Sequence, residues 1–295
     1  MWATRWISPA SNFGPAELAL RLTAIDLLLR PMGPWGVRPL ILATAGLALL
    51  LPRVLRAPAT WYALAGLVTA RVVADWPLPD NHIYLLAYWC LAVALALGAG
   101  AEGARVLGLS SRLLIGLAFL MGVVWKGALS PDYLDGRFFR VTLLTDERFT
   151  DVTLLLGGLT GEQLDGNREY LSPLPEGAEL LDPPPFVEPR AFRWLAAAST
   201  WGMLGVEALV ALAFLLPLRG RAVTLRHLLL LLFCVVTYAF APVPGFGWLL
   251  LAIGLAACGP GQRHMRVAYV TAWFLVLLYA EVPWAGLLIG WLGIE

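Results

Sequence analysis

The chain has 295 residues, of which 59% are hydrophobic and only 14% carry a formal charge, and its net charge is +1. In a soluble domain about a quarter of the residues are charged, so this composition excludes an ordinary soluble domain. The near-neutral balance gives no indication of a nucleic-acid partner. The long, numerous apolar runs predict an all-α, polytopic transmembrane helical bundle whose surroundings are a lipid bilayer.

The first apolar run predicts a helix over about residues 15–29. It carries Glu17, Arg21, Asp26 and Arg30, so it either lies in the membrane interface or spans the membrane with its charges facing other helices. Further spans are predicted over about 37–51, 60–74, 83–97, 113–129, 194–216, 225–241, 246–258 and 267–282. The tail 284–294 either extends the last span or lies in the interface. The total is about eight or nine spans.

Three parts follow from this pattern: N-terminal spans in 1–129, a polar stretch 130–190, called here the outer segment, and C-terminal spans in 191–295. The connections that contain arginine alternate with connections that contain none, and basic loops favour the cytoplasmic side. We therefore expect the arginine-bearing loops to be cytoplasmic and the outer segment to be periplasmic, in a bacterial inner membrane.

The outer segment is acidic, with twelve carboxylates against four arginines between residues 132 and 188. Residues 146–156 place Phe149, Val152, Leu155 and Leu156 on one helical face, and a double glycine at 157–158 is a plausible end of that helix. Thr160 and Gln163 have the spacing of a capping box that starts a second short helix. Two short amphipathic helices are therefore predicted over the outer mouth of the bundle.

Lys126 is the only lysine in the protein and lies where an apolar run meets the outer segment. His82 begins the fourth predicted span, on the same side of the membrane. A partly desolvated lysine can act as a general base, and a nearby histidine can assist it. The alternative is structural: Lys126 reaches to the interface and His82 bonds a helix end or loop.

Glu207 lies in the middle of an apolar run, where a carboxylate must face the bundle interior, find a partner or take up a proton. Arg71, in another run, is a possible partner. The pair would be a structural contact or, in a transporter, part of a proton path. The three cysteines have no metal-ligand spacing, and the three histidines lie on opposite sides of the predicted membrane, so no metal site is predicted.

Several of these stretches resemble the membrane domain of the vitamin K-dependent gamma-carboxylases and their bacterial HTTM relatives. Residues 80–86 resemble that family's Asn-His-x-Tyr-Leu motif. Residues 119–126, followed by 131–136, resemble its lysine-containing stretch and the Asp-Trp-x-x-Gly that comes after it. Residues 16–21 resemble its first helix, and 226–227 resemble its later His-bearing helix.

The resemblance implies that Lys126 is the base that deprotonates a quinone-like molecule, with His82 and Asn81 beside it. It also marks Asp132, Tyr133, Asp135 and Gly136 as motif positions, with Tyr133 where the family has tryptophan.

Two functions are therefore predicted. One is a membrane enzyme in which Lys126 acts on a quinone- or lipid-like substrate at the outer face. The other is a non-catalytic subunit of a larger membrane complex that binds its partners through the outer segment.

Overall fold

A computed structural model describes residues 14–30, 33–77, 80–174, 176–177, 185–240 and 243–293, and it contains helices and no strand in these ranges. The first part of the chain forms α1 (Gly14–Leu29), α2 (Arg38–Leu50), α3 (Pro52–Leu55), α4 (Pro58–Ala74), α5 (Asn81–Gly98) and α6 (Gly103–Val124). The outer segment forms α7 (Pro131–Leu134), α8 (Arg137–Thr145), α9 (Thr150–Gly157) and α10 (Gly161–Leu171). The last part forms α11 (Arg190–Leu215), α12 (Arg221–Phe240), α13 (Pro244–Ala256), α14 (Arg263–Glu281) and α15 (Trp284–Leu292).

The apolar runs located the helices well, with one clear exception. Helix α6 begins at Gly103, about ten residues before the predicted start, so Arg105 and Arg112 belong to the helix and not to a loop. The residues that were predicted to form a connection, from Gly103 to Arg112, form the first turns of the helix. Ser111, for example, is buried and donates its hydroxyl hydrogen bond to the Leu107 carbonyl at 2.7 Å.

The bundle is built from neighbouring helices that pack along their lengths. Helix α5 packs between α4 and α6, and α6 also runs along α11, while α13 contacts α1, α6, α12 and α14. Gly116 permits the close approach of α6 and α11, because a Cβ atom there would lie 2.7 Å from the Leu215 side chain. The centre of the bundle is a continuous apolar core that includes the fully buried Trp61, Trp89 and Trp273.

The outer segment has an apolar core of its own. Tyr133, Leu143 and Leu164 come from α7, α8 and α10, and they pack with Phe192 and Ala196 from the first turns of α11. Farther along α11, Val210 and Phe214 belong to the core of the bundle. A single helix is therefore shared by both cores and fixes the outer segment to the end of the bundle where α6 ends, called here the outer end.

The prediction of eight or nine spans is not supported by the helix lengths. Among the described residues, four helices are long and apolar enough to cross a membrane: α5, α6 with the turns on either side of it, α11 and α12. The sharply bent pair α14 and α15 would make a fifth. Helices α1, α2, α4 and α13 have 16, 13, 17 and 13 residues, fewer than the roughly 20 that a perpendicular span requires.

The exposed surface of the long helices is compatible with an integral membrane protein. Large apolar side chains are exposed at helical spacing, so each set forms a stripe along one face. These are Leu109, Leu113, Leu117 and Leu120 on α6, and Leu225, Leu228, Leu232 and Val236 on α12. Such continuous apolar stripes are unusual on a protein surrounded by water, and they fit contact with lipid.

Candidate functional site at the outer end of the bundle

Helix α6 ends in a π-helical turn, Trp125–Leu129, that carries Lys126. The wider turn changes the direction of side chains relative to a continued α-helix, and such turns are frequent at functional sites. Ser130 then leaves the helical conformation (φ −124°, ψ 87°) before Pro131, which starts α7. The geometry turns the chain from the bundle into the outer segment and leaves Lys126 at the junction between the two cores.

Lys126 forms an ion pair with Glu207 of α11. The Lys126 Nζ donates a hydrogen bond to Glu207 Oε1 at 2.5 Å, and the two side chains are 25% and 10% exposed. Glu207 is brought there because α11 packs along α6. Gly122, one turn before Lys126, lies beside the second carboxylate oxygen: a Cβ atom there would be 3.6 Å from Glu207 Oε2.

Tyr133 forms the outer side of the site. Its ring centroid is 5.3 Å from Lys126 Nζ, a cation–π contact, and it packs against the rings of Phe138 and Phe139. Burial, and to a smaller extent the negative charge of Glu207, raises the pKa of Tyr133. The phenol is therefore neutral over the physiological range and available as a hydrogen-bond donor.

Two polar atoms of this cluster are buried without a protein partner. They are Glu207 Oε2 and Tyr133 Oη. A buried acceptor and a buried donor that find no protein partner are rare, because each costs about 1–3 kcal/mol of desolvation. Together with the Lys126 ammonium, they provide one acceptor, one donor and one positive charge. This set suits a ligand oxygen that carries a proton, such as a phenol, an alcohol or an acid.

The acidic motif residues have another role. Arg137 pairs with Asp132 at 2.8 Å and with Asp135 at 2.7 Å on the exposed surface. The hydrogen bond and charge of Arg137 lower the pKa of Asp135 below its usual value. Gly136 adopts a left-handed conformation (φ 80°) between α7 and α8 and lies near Thr200 of α11. These residues hold the turn that positions Tyr133, and among the described residues they form no hydrogen bond or ion pair with Lys126.

His82 and Asn81 lie at the first turn of α5. His82 is buried, its Nε2 is 3.9 Å from the Asp80 carboxylate, and its ring is 6.4 Å from that of Phe246. Among the described residues, no hydrogen bond or ion pair joins Lys126 to His82 or Asn81. The structure brings Lys126 together with Glu207 and Tyr133, and it does not show the expected contact with the histidine.

The proposed pairing of Arg71 with Glu207 is wrong. Arg71 pairs with Asp75 one turn later on α4, at 2.9 Å, and the partner of Glu207 is Lys126. Both members of the observed pair were noticeable in the sequence as charges in or next to apolar runs. Their opposite charges made a pair conceivable, but the sequence alone does not indicate that α6 and α11 are neighbours.

Within the part of the chain that the structure describes, no group of three histidine, cysteine or acidic side chains could hold a metal ion. The comparisons add no relative: no protein-family model matches the chain, and neither a curated protein nor a solved structure is significantly similar to it. The function must therefore be argued from the site and from the motifs themselves.

Proposed function

We propose that this chain is an integral membrane protein that binds a quinone- or lipid-like molecule at the outer end of its bundle and transfers a proton there. The observation that carries the proposal is the Lys126–Glu207 pair with its unpartnered neighbours, Glu207 Oε2 and Tyr133 Oη. The likeness to the gamma-carboxylase and HTTM membrane domain supports the same position in the chain. A bacterial inner membrane, with the outer segment in the periplasm, is part of the proposal, and the eight or nine spans stay a prediction.

The structure changes which group is proposed as the base. Lys126 donates a hydrogen bond to Glu207, so it can accept a proton only after it has passed one of its own to the carboxylate. The free oxygen Glu207 Oε2 can instead take the proton of a substrate hydroxyl directly. The oxyanion that forms is then stabilised by the Lys126 ammonium and by a hydrogen bond from Tyr133. The Lys126–Glu207 pair acts as the base as a unit.

The test is to identify what copurifies with the protein from its native membrane. The full chain and the variants Glu207→Gln and Tyr133→Phe are purified in native lipid discs, and bound small molecules are identified by mass spectrometry. We expect a quinone- or lipid-like molecule in wild type that falls about tenfold in Glu207→Gln, the effect of losing one charged hydrogen bond. Tyr133→Phe should reduce it less.

The matched control is Arg71→Gln, which breaks another ion pair of the bundle, Arg71–Asp75, and should leave the bound molecule unchanged. Lys126→Arg keeps a positive charge but does not readily lose a proton. If Lys126→Arg keeps the bound ligand but no longer transfers a proton, then Lys126, and not Glu207, is the base. Equal amounts of every lipid and quinone in wild type and Glu207→Gln would contradict the proposal.

A second function, a non-catalytic subunit, is favoured by exposed apolar side chains on the outer segment. Phe138 and Val141 of α8 are each 48% exposed, and Leu156 of α9 is 52% exposed. Val152, by contrast, is buried, so substitutions there would test folding and not binding. A stoichiometric protein partner that Leu156→Ser or Val141→Ser releases, with no bound small molecule, would support this function.

A further inference from the structure

A second polar group lies inside the bundle, apart from Lys126 and Glu207. Asp26 of α1 is 1% exposed and is surrounded by the apolar core. Neither of its carboxyl oxygens has a protein hydrogen-bond partner. Its neighbour Thr23, on the same helix, is already engaged: it donates to the Ala19 carbonyl and accepts from the Trp89 indole.

Arg30 directly follows the last residue of α1 and lies one turn after Asp26, and its charge acts on the carboxyl, but the two do not form an ion pair within the usual contact distance. Its Nη1 atom is also buried without a partner. The guanidinium lies instead against Gly245 at the start of α13, where any Cβ atom would overlap it. Gly245 is therefore required for Arg30 to occupy this position.

The two effects on Asp26 oppose each other. An ionised carboxylate in an apolar core with no donor is strongly disfavoured, because it has lost its hydration. The charge of Arg30 favours the ionised form from a distance. Burial therefore favours the protonated carboxyl and Arg30 favours the carboxylate, so that neither form is held firmly.

We propose that Asp26 is a proton-binding site in the interior of the bundle, which takes up and releases one exchangeable proton while Arg30 sets its charge state. A metal cation fits the site poorly, because such ions require several ligands and no group of three His, Cys, Asp or Glu side chains that could hold one is found among the described residues. This inference does not depend on the function proposed for Lys126 and Glu207.

The groups around Asp26 are few. Cys90 of α5 and Tyr238 of α12 are buried and lie close enough for a charge on Asp26 to act on them. Cys234, also on α12, is buried near Tyr238. Of the helices that pack most extensively against α1, α13 has no ionisable side chain and α2 has only Arg38, at its first residue. His82, at the start of α5, lies close enough to Arg30 for their charges to interact, but it has no carboxyl group. Proton exchange at this position is therefore assigned to Asp26.

The test uses the infrared carbonyl band of a protonated carboxyl, recorded on the full chain in lipid discs from about pH 5 to about pH 9, a range in which exposed carboxylates stay ionised. We expect a band that decreases as the pH rises and is absent in Asp26→Asn. Asp75→Asn is the control, since Asp75 is ion-paired and partly exposed, and its band pattern should equal that of wild type.

Two further variants keep the test decisive if Asp26→Asn folds poorly. Asp26→Glu should keep a titrating band at a shifted frequency, and Arg30→Gln should keep the proton bound to higher pH, because a positive charge has been removed. Absence of the band over the whole range would overturn the proposal by showing a permanent carboxylate. A band that never titrates would overturn it by showing a proton that does not exchange.

Discussion

Lys126 and Glu207 are separated by 81 positions in the chain, and each would be costly to bury alone. Together they allow two charges to lie at the junction of the bundle and the outer segment. Breaking such a pair costs more stability than the pair itself contributes, because removal of one partner leaves the other charge buried and unpaired.

This difference gives a stability prediction for single residues. Lys126→Met leaves Glu207 unpaired, and we expect a loss near the lower end of the about 3–5 kcal/mol typical of a broken buried pair, because Lys126 is partly exposed. The double variant Lys126→Met with Glu207→Leu should recover most of that loss. Unfolding in lipid discs, followed by tryptophan fluorescence, measures both. The single variant Glu207→Leu is measured as well. If the double variant loses as much stability as the two single variants lose when added together, the two residues are not coupled.

The sequence singled out Lys126, Glu207 and Tyr133, but not their contacts with one another. Lys126, Glu207 and Tyr133 were each recognised, because a lone lysine, a carboxylate in an apolar run and a motif position are all visible in one dimension. Their association was not predicted. Helical periodicity indicates which face of a helix is apolar, but it does not indicate which helix lies opposite.

At the scale of elements, helix ends were predicted correctly where residues adjacent in the sequence determine them. The capping box of α10 is confirmed, because Thr160 accepts from the Gln163 backbone and Gln163 accepts from the Thr160 backbone. The end of α9 at the double glycine is confirmed by the left-handed conformation of Gly158. Helix α8 was not predicted: its nine residues lie between the motif stretch, which ends at Gly136, and the predicted helix that begins at Asp146.

Asp146, between α8 and α9, gives a prediction about pH. Its side chain accepts a hydrogen bond from the Arg148 backbone and pairs with the Arg148 guanidinium at 2.5 Å. The side-chain bond from Arg148 lowers the pKa of Asp146. A lowered folded pKa stabilises the segment fully above the ordinary aspartate pKa of about 3.9, and the contribution disappears as the pH falls through the lower folded value.

Pepsin cleavage within residues 147–171, mapped by mass spectrometry, measures this effect. Asp146→Asn should be cleaved faster than wild type at about pH 5, and the ratio of the two rates should fall towards one as the pH is lowered from there to about pH 2, because wild type progressively loses the same interaction. Asp165→Asn is the control, because Asp165 is highly exposed and its contact with Arg168 is long. An equal ratio at both pH values would contradict the role assigned to Asp146.

At the scale of the whole molecule, composition predicted the all-helical class and the apolar runs predicted the positions of the helices. The predicted number of spans is not supported by the helix lengths, because in a sequence an apolar run buried inside a bundle resembles one that crosses the lipid. Helices α2 and α13 illustrate this: both are strongly apolar, yet each has only 13 residues.

The predicted orientation can be tested with single cysteines. The natural Cys90, Cys234 and Cys258 are buried and should contribute little background. In intact bacterial cells, a maleimide that cannot cross the inner membrane should label Glu162→Cys, in the outer segment, and should not label Glu102→Cys, at the opposite end of the bundle. Both positions are exposed in the folded chain. Labelling at Glu102→Cys alone would reverse the orientation.

Helix α11 also imposes an order on biosynthesis. The ribosome completes residues 130–171 before it makes Phe192 and Ala196, yet these two side chains are part of the core on which α7 to α10 pack. The outer segment therefore emerges with its apolar surface uncovered and cannot complete its packing until the next long helix has been made. Packing of the outer segment is thus delayed until α11 has been made, and transiently exposed apolar surface of this kind favours misfolding and aggregation.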